Sequence, residues 1–141
     1  MPAGKTRVII DTNLWIRFLI TGNFKHLDLR IEDGSIEIIY SDELLEEFLE
    51  VVSRSKFAKF FSRSDVVNLL KCLRSCSVIV EVYSVTNLCR DPKDNFLLSL
   101  SKDSSADFLI TADNDLLVLK NFRRTKIVTF SEFLQTIEER L

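Results

Sequence analysis

Residues 7–15 read RVIIDTNLW. Val8, Ile9 and Ile10 offer no polar side to solvent, the pattern of a strand covered on both faces, and Asp11, Thr12 and Asn13 follow at once. Open parallel sheets take their ligands beyond the carboxyl ends of their strands, so a carboxylate at this point is a candidate site residue. The same aspartate could equally cap the helix that comes next. Asp11 alone does not choose between the two, and the other acids of the chain have to.

Outward from this strand, strand-like and helix-like segments alternate to the end of the chain. RVII (7–10), IEIIY (36–40), VIVEVY (78–83), DFLIT (107–111) and KIVTF (126–130) read as strands. Between them, LWIRFLI (14–20), FKHLDLRIEDG (24–34), DELLEEFLEVVSR (42–54), a segment over 65–76, RDPKDNFLLSLSKD (90–103), NDLLVL (114–119) and SEFLQTIEERL (131–141) read as helices. Ser41 stands where an N-cap is wanted, with Asp42 and Glu43 in the first turn. Asp91 with Pro92 makes a second strong start signal, and Gly34 suits a helix end. Strands separated by helices imply βαβ units. The expected fold is a three-layer α/β/α domain over residues 1–141 with a five-stranded, mostly parallel central sheet.

Composition narrows the functional classes. With 141 residues, 46% apolar and 28% charged, the chain can bury an ordinary core, and three Gly and two Pro leave little room for long loops. A formal charge of −2 exerts no general pull on nucleic acid, so polyanion binding has to rest on local basic patches. Cys72, Cys76 and Cys89 form no CxxC pair and His26 is the sole histidine, which argues against a Cys/His zinc site. The apolar run near the N-terminus is too short for a signal peptide and nothing approaches a membrane span, so a reduced, cytoplasmic protein is expected.

The predicted topology gathers acids that are distant in sequence. Asp11 ends the first strand, Asp113 and Asp115 follow the fourth, and Asp91 and Asp94 open a helix at the same edge. Glu47 lies on the helix after the second strand. At about 100° per residue it projects only about 40° from Val51, on the border of the buried face. Each acid has an ordinary reading: Asp11, Asp91, Asp94, Asp113 and Asp115 as caps or first-turn acids, Glu47 as a solvated helix glutamate. Together, without a Lys, Arg or His between them, they would repel one another and raise each other's pKa, and a divalent cation would relieve this. Mg²⁺ and Mn²⁺ take oxygen ligands, and such a site suits phosphodiester hydrolysis. Thr12, Asn13, Asn95 and Thr111 are the neutral groups placed to orient ligands or water.

VIIDTNLWIRFL, SDELLEEFLEVVSRSKF and CRDPKDNFLLSLSKDSSADFLITADNDLL, in this order and spacing, resemble the PIN-domain nucleases, most closely the branch of toxins of toxin–antitoxin pairs. The resemblance implies a five-stranded parallel α/β/α fold and a Mg²⁺- or Mn²⁺-dependent endoribonuclease. It also implies an acid quartet of Asp11, Glu47, Asp94 and Asp113, with Asp115 auxiliary, and metal held by Asp11, Asp94, Asp113 and Asp115. An antitoxin protein and a homodimer are the partners it suggests besides RNA. Where the family usually has Gly between Thr and Asp, this chain has Ala112.

RSKFAKFFSRS carries Arg54, Lys56, Lys59 and Arg63 among Phe57, Phe60 and Phe61, a set that could hold phosphates or contact a second copy. The phenylalanines read better as core. Arg123, Arg124 and Lys126 form a smaller basic cluster, and Trp15 and Phe18 read as core or interface residues. Two other classes compete with the nuclease. An aspartyl phosphotransfer domain would want a second acid at position 13, which is Asn13, or a lysine after a late strand, which KIVTF lacks. A scaffold that keeps the fold without chemistry would not need the acids.

Overall fold

Parallel strands cannot be joined by a tight turn, so each must be followed by a crossover that covers one face of the sheet. The computed structural model describes residues 5–21, 34–54 and 77–139, with Ser64 and Val67 between them, and shows this arrangement. The strands are β1 (Thr6–Ile10), β2 (Ile36–Tyr40), β3 (Ser77–Ile79), β4 (Phe108–Ile110), β5 (Asn121–Phe122) and β6 (Thr125–Val128). The helices are α1 (Thr12–Thr21), α2 (Asp42–Val52), α3 (Pro92–Ser104), α4 (Asn114–Leu117) and α5 (Phe130–Glu139). Sheet order is β3-β2-β1-β4-β6-β5, parallel throughout except for β5, which pairs antiparallel with β6.

The sheet therefore has six strands rather than the five expected. Asn121–Phe122 is too short to carry a periodic pattern, and its turn to β6 is made by Arg123 and Arg124. Arg123 takes φ 57, a conformation in which hairpin turns usually place Gly or Asn, so the ordinary signature is missing. The third strand stops at Ile79 instead of Tyr83. Beyond Val80, whose amide donates to Tyr40, the chain leaves the sheet. Tyr83 and Ser84 donate their amides to Asp103 at the far end of α3, and the Ser84 hydroxyl joins them. The helix expected over 24–34 lies outside the described residues except for Gly34, which takes φ 80 in the turn that leads into β2. The helix over 65–76, apart from Val67, also lies outside them, as do His26, Cys72 and Cys76.

Alternation along each strand sends its residues to two cores. Val8, Ile10, Ile36, Ile38, Phe108 and Ile110 meet Trp15 of α1, Phe48 and Val51 of α2, and Phe133 of α5. Ile9, Ile39, Leu109 and Ile127 meet Leu97, Leu98 and Leu100 of α3 and Leu116 of α4. These are the three layers expected. Trp15 is thus core, and the Phe18 side chain lies outside the described residues. Helix α3 packs serines as well as leucines against the sheet, and they are satisfied locally: Ser101 donates to Leu97 O at 2.9 Å, and Ser99 bonds Thr86 at 2.8 Å. Helix α5 starts at Thr129, whose amide donates to Glu132 Oε1 while its hydroxyl accepts from the Glu132 amide, a reciprocal capping box.

Phe133 is fully buried and meets Phe108 edge to face, ring centroids 5.2 Å apart and planes at 73°. Among the described residues it is the largest fully buried side chain that α5 adds to this core. Phe133→Ala should lower the unfolding free energy by about 3–5 kcal/mol in a urea titration. A loss below about 1 kcal/mol would mean that α5 is not docked in this way.

Candidate metal centre

Five described helices start along the carboxyl edge of the sheet, and an aspartate stands at the start of three of them. The Asp11 amide donates to Ile110 O, and its carbonyl accepts from Leu14 and Trp15, so it opens α1. Its Oδ1 accepts from the Asn13 amide at 3.3 Å and its Oδ2 from the Thr111 hydroxyl at 2.9 Å. The two readings of Asp11 are thus compatible: one oxygen caps, and the other faces its neighbours across β4. Asp113 repeats the pattern, capping α4 through Oδ1 to the Asp115 amide at 2.9 Å. Thr111, buried at the end of β4, joins the two caps. Its Oγ1 accepts from the Asp113 amide at 3.0 Å and donates to Asp11.

Asp91 and Asp94 separate cleanly. Asp91 is exposed and caps α3, accepting from the Lys93 amide at 2.9 Å. Asp94, one turn inside, is buried at 5% exposure and looks toward Asp113. One carboxylate oxygen from each of Asp94, Asp113 and Asp115 lies within 4.8 Å of the others. Asp11 stands beside this trio, close enough that the charges of Asp113 and Glu47 act on it.

The electrostatics record the crowding. Burial raises the Asp94 pKa from 3.8 to about 7, helped by a hydrogen bond with Asp113 and by the charges of Asp113, Asp91 and Asp11. Crowded acids of one sign hold the charged form of one another in check, and a bound cation would relieve this. Asp11 is also raised, by burial first. The bonds from Thr111 and Asn13 pull the other way, and Asp113 and Glu47 add to the rise. The donor set is all hard oxygen, and the nearby Cys89 thiol is raised by burial and by the same acids, which keeps it protonated. The trio therefore suits a hard, oxygen-seeking divalent cation better than a soft metal.

The acids are not free of cations, contrary to the sequence expectation. Lys93 Nζ lies 3.3 Å from Glu47 Oε1, and Arg90 Nη2 lies 3.1 Å from Asp115 Oδ1 and 3.1 Å from Asp115 Oδ2. Both stand within the hexapeptide RDPKDN, interleaved with the acids, and no local pattern assigns their partners, which are distant in sequence. Glu47 is half-buried on the border of α2, as its helical projection implied.

The supporting residues divide. Thr111 orients Asp11, and Asn13 does so through its backbone while its side chain stays exposed. Thr12 is buried with its hydroxyl unpartnered among the described residues, lining a cavity of about 30 Å³ with Trp15, Tyr40, Leu44 and Phe48 rather than touching an acid. Asn95 is turned away from the acids. Its Oδ1 accepts from the Leu88 and Cys89 amides at 3.0 and 2.8 Å, and its Nδ2 donates to Cys89 O at 2.9 Å, which pins the loop ahead of α3. Arg54 lies past the end of α2, roughly two helical turns beyond Glu47, and pairs with Glu50 at 3.6 Å. Lys56, Lys59 and Arg63 lie outside the described residues. Arg124 binds Asp107 at 2.7 Å before β4, and so sits with Arg123 and Lys126 at the opposite edge of the sheet from the acids.

A sequence profile of the PIN domain matches residues 7–115, from the first residue quoted above to the last acid of the trio. The chain belongs to the PIN domain family. PIN domains are generally nucleases, which act on nucleic acid, and this chain joins that fold to an acidic cluster. The uncharacterized protein MJ1680 of Methanocaldococcus jannaschii is similar, 30% identical over 151 aligned residues covering 99% of this chain and 96% of that one. Among the described residues of this PIN domain, no helix is long and apolar enough to cross a membrane.

Two outcomes follow from the separation of Asp91 and Asp94. A carboxyl whose pKa rises on folding contributes stability that is present below 3.8 and lost as pH climbs toward about 7. In EDTA, Asp94→Asn should therefore melt above the parent at about pH 8, with the advantage shrinking toward about pH 5. A gap that does not change with pH would refute the burdened carboxyl. Asp91→Ala should instead lose about 1 kcal/mol at either pH, as the loss of a helix cap does. Thermal melts of the three proteins at both pH values distinguish these roles.

Proposed function

We propose that this PIN domain is a divalent-metal-dependent endoribonuclease. In this reading Asp94, Asp113 and Asp115, with Asp11, hold Mg²⁺ or Mn²⁺, and Glu47 completes the acidic wall. The observation that carries the reading is the meeting of carboxylate oxygens of Asp94, Asp113 and Asp115 within 4.8 Å of one another, with Asp94 buried. A bound divalent ion would supply Lewis-acid stabilisation of phosphoryl oxygens and a nucleophilic hydroxide at neutral pH. The chain's own residues do the rest. Thr111 fixes the rotamer of Asp11 and the backbone of Asp113 with one hydroxyl. The caps at Asp11 and Asp113 tie both carboxylates to helix starts, so that their separation is set by the sheet.

RNA as the substrate and a toxin–antitoxin pair as the setting, in the cytoplasm, rest on the likeness of DTN, RDPKDN and DFLITADNDLL to the toxin branch of the family. An antitoxin protein and a second copy of the chain are the partners this setting brings. Arg54 would meet RNA only where the strand extends away from the acids along α2, and Lys56, Lys59 and Arg63, which follow it in sequence, are the further RNA contacts of this reading.

A cleavage assay on labelled RNA, metal-stripped and then restored with Mg²⁺ or Mn²⁺, tests the activity. Asp94→Asn and Asp113→Asn should each lose at least about 100-fold in rate, since each removes a metal ligand, while circular dichroism shows them folded. Retention of most of the metal-dependent cleavage in either variant, or cleavage undiminished in EDTA, would overturn the assignment. Growth arrest on expression of the parent but not of Asp94→Asn would support the toxin role, and unimpaired growth with parent protein present would count against it.

A further inference from the structure

RDPKDN places two cations where helix physics does not ask for them. Asp91 is the cap and Pro92 the first helical residue, so Lys93 stands in the first turn of α3, where the unsatisfied amides favour an anion and disfavour a cation. Arg90 precedes the cap, on a stretch whose backbone is tied to the first turn by the three bonds of Asn95. The root of Arg90 is thus fixed, while its side chain is 88% exposed and its guanidinium bonds, among the described residues, through Nη2 only. Lys93 has a side chain 63% exposed and, among the described residues, one ion pair, to Glu47. Exposed pairs of this kind contribute little to stability and exchange partners readily. They do not explain why cations are held at this rim.

We propose that Arg90 and Lys93 are the exchangeable counter-cations of the acid site: they sit on Asp115 and Glu47 while it lacks a metal, and turn to phosphates of the substrate strand once a divalent ion neutralises the acids. This rests on the metal-site reading above. A polyanion approaching five carboxylates needs positive charge at the rim, and the net charge of −2 offers none at large. Arg90 has the better chemistry for it, since its planar fork can take a phosphate with two nitrogens, while Lys93 acts as a point charge. Their positions one residue before and two after the Asp91 cap put them on either side of the helix start that carries Asp94. In this scheme Arg90 competes with the metal for Asp115, whereas Lys93 occupies a carboxylate outside the close trio.

The test compares the parent with Arg90→Ala, Lys93→Ala and, as a control of equal charge at the opposite sheet edge, Arg124→Ala. Mn²⁺ binding is measured by calorimetry without RNA. Binding of a fluorescein-labelled oligouridylate is measured by anisotropy in Ca²⁺ across a salt series, with integrity of the RNA checked on gels. Arg90→Ala should bind Mn²⁺ about two- to five-fold more tightly, having lost an exposed competitor. Arg90→Ala and Lys93→Ala should each reduce the slope of log affinity against log salt by about 0.7, the loss of one phosphate contact on a single strand. Arg124→Ala should leave the slope unchanged. Unchanged slopes in the two rim variants, an equal fall in Arg124→Ala, or weaker Mn²⁺ binding by Arg90→Ala would each overturn the proposal. Failure of the parent to bind Mn²⁺ would overturn the metal-site reading and this inference with it, whereas normal Mn²⁺ binding with unchanged slopes would overturn this inference alone.

Discussion

The register between β1 and β4 is the constraint on which the rest of this molecule depends. Val8, Ile9 and Ile10 pair with Phe108, Leu109 and Ile110, and the Asp11 amide continues the ladder to Ile110 O. This brings Asp11 beside Thr111, a hundred residues away, so that one hydroxyl can bond both the Asp11 carboxylate and the Asp113 amide. Side chains alternate from face to face along a strand, so a slip of one residue would exchange the two cores as well as separate the acids. The six residues that pair are buried almost completely, which makes such a slip costly. The site inherits its geometry from the hydrophobic pattern beneath it.

Parallel topology also explains why capping and metal binding fall to the same residues. Each strand must hand the chain to a helix at the carboxyl edge, each helix start wants an oxygen for its unpaired amides, and aspartate supplies one with a second oxygen left over. Asp11 and Asp113 each cap with Oδ1, and Asp11 gives its other oxygen to Thr111. Asp91 uses the same chemistry yet remains exposed and outside the close trio, so capping alone does not make a site residue. Asp94 differs by burial. It is carried one turn into α3 against the sheet, where desolvation and Asp113 keep its proton on up to about pH 7.

The hexapeptide RDPKDN condenses the design. Asp91 and Pro92 start the helix, Asp94 enters the acid trio, Asn95 ties down the loop behind it, and Arg90 and Lys93 pair with Asp115 and Glu47. Burden and relief are thus encoded within six residues. The opposite edge of the sheet is built differently. There Arg124 binds Asp107 and Arg7 lies 3.4 Å from Glu37, so each of these acids has a cation beside it.

The sequence by itself determined the alternation of strands and helices, because apolar periodicity and helix caps are local and survive in the folded state. IEIIY became β2 without a residue's change, and Asp91 with Pro92 opened α3 as their chemistry requires. It also determined which acids lie at the carboxyl edge, since parallel connectivity leaves them nowhere else to go. The two-residue β5 and the early end of β3 were decided by partners, Thr125 and Lys126 for the one and Asp103 for the other, and no local pattern announces a partner. The same holds for the orientation of the site. Asn95 and Asp94 are neighbours in sequence with equally polar side chains, yet Asp94 enters the trio while Asn95 grips Cys89. About 100° of helical rotation separates them, and only the packing of α3 on the sheet decided which of the two faces the acids.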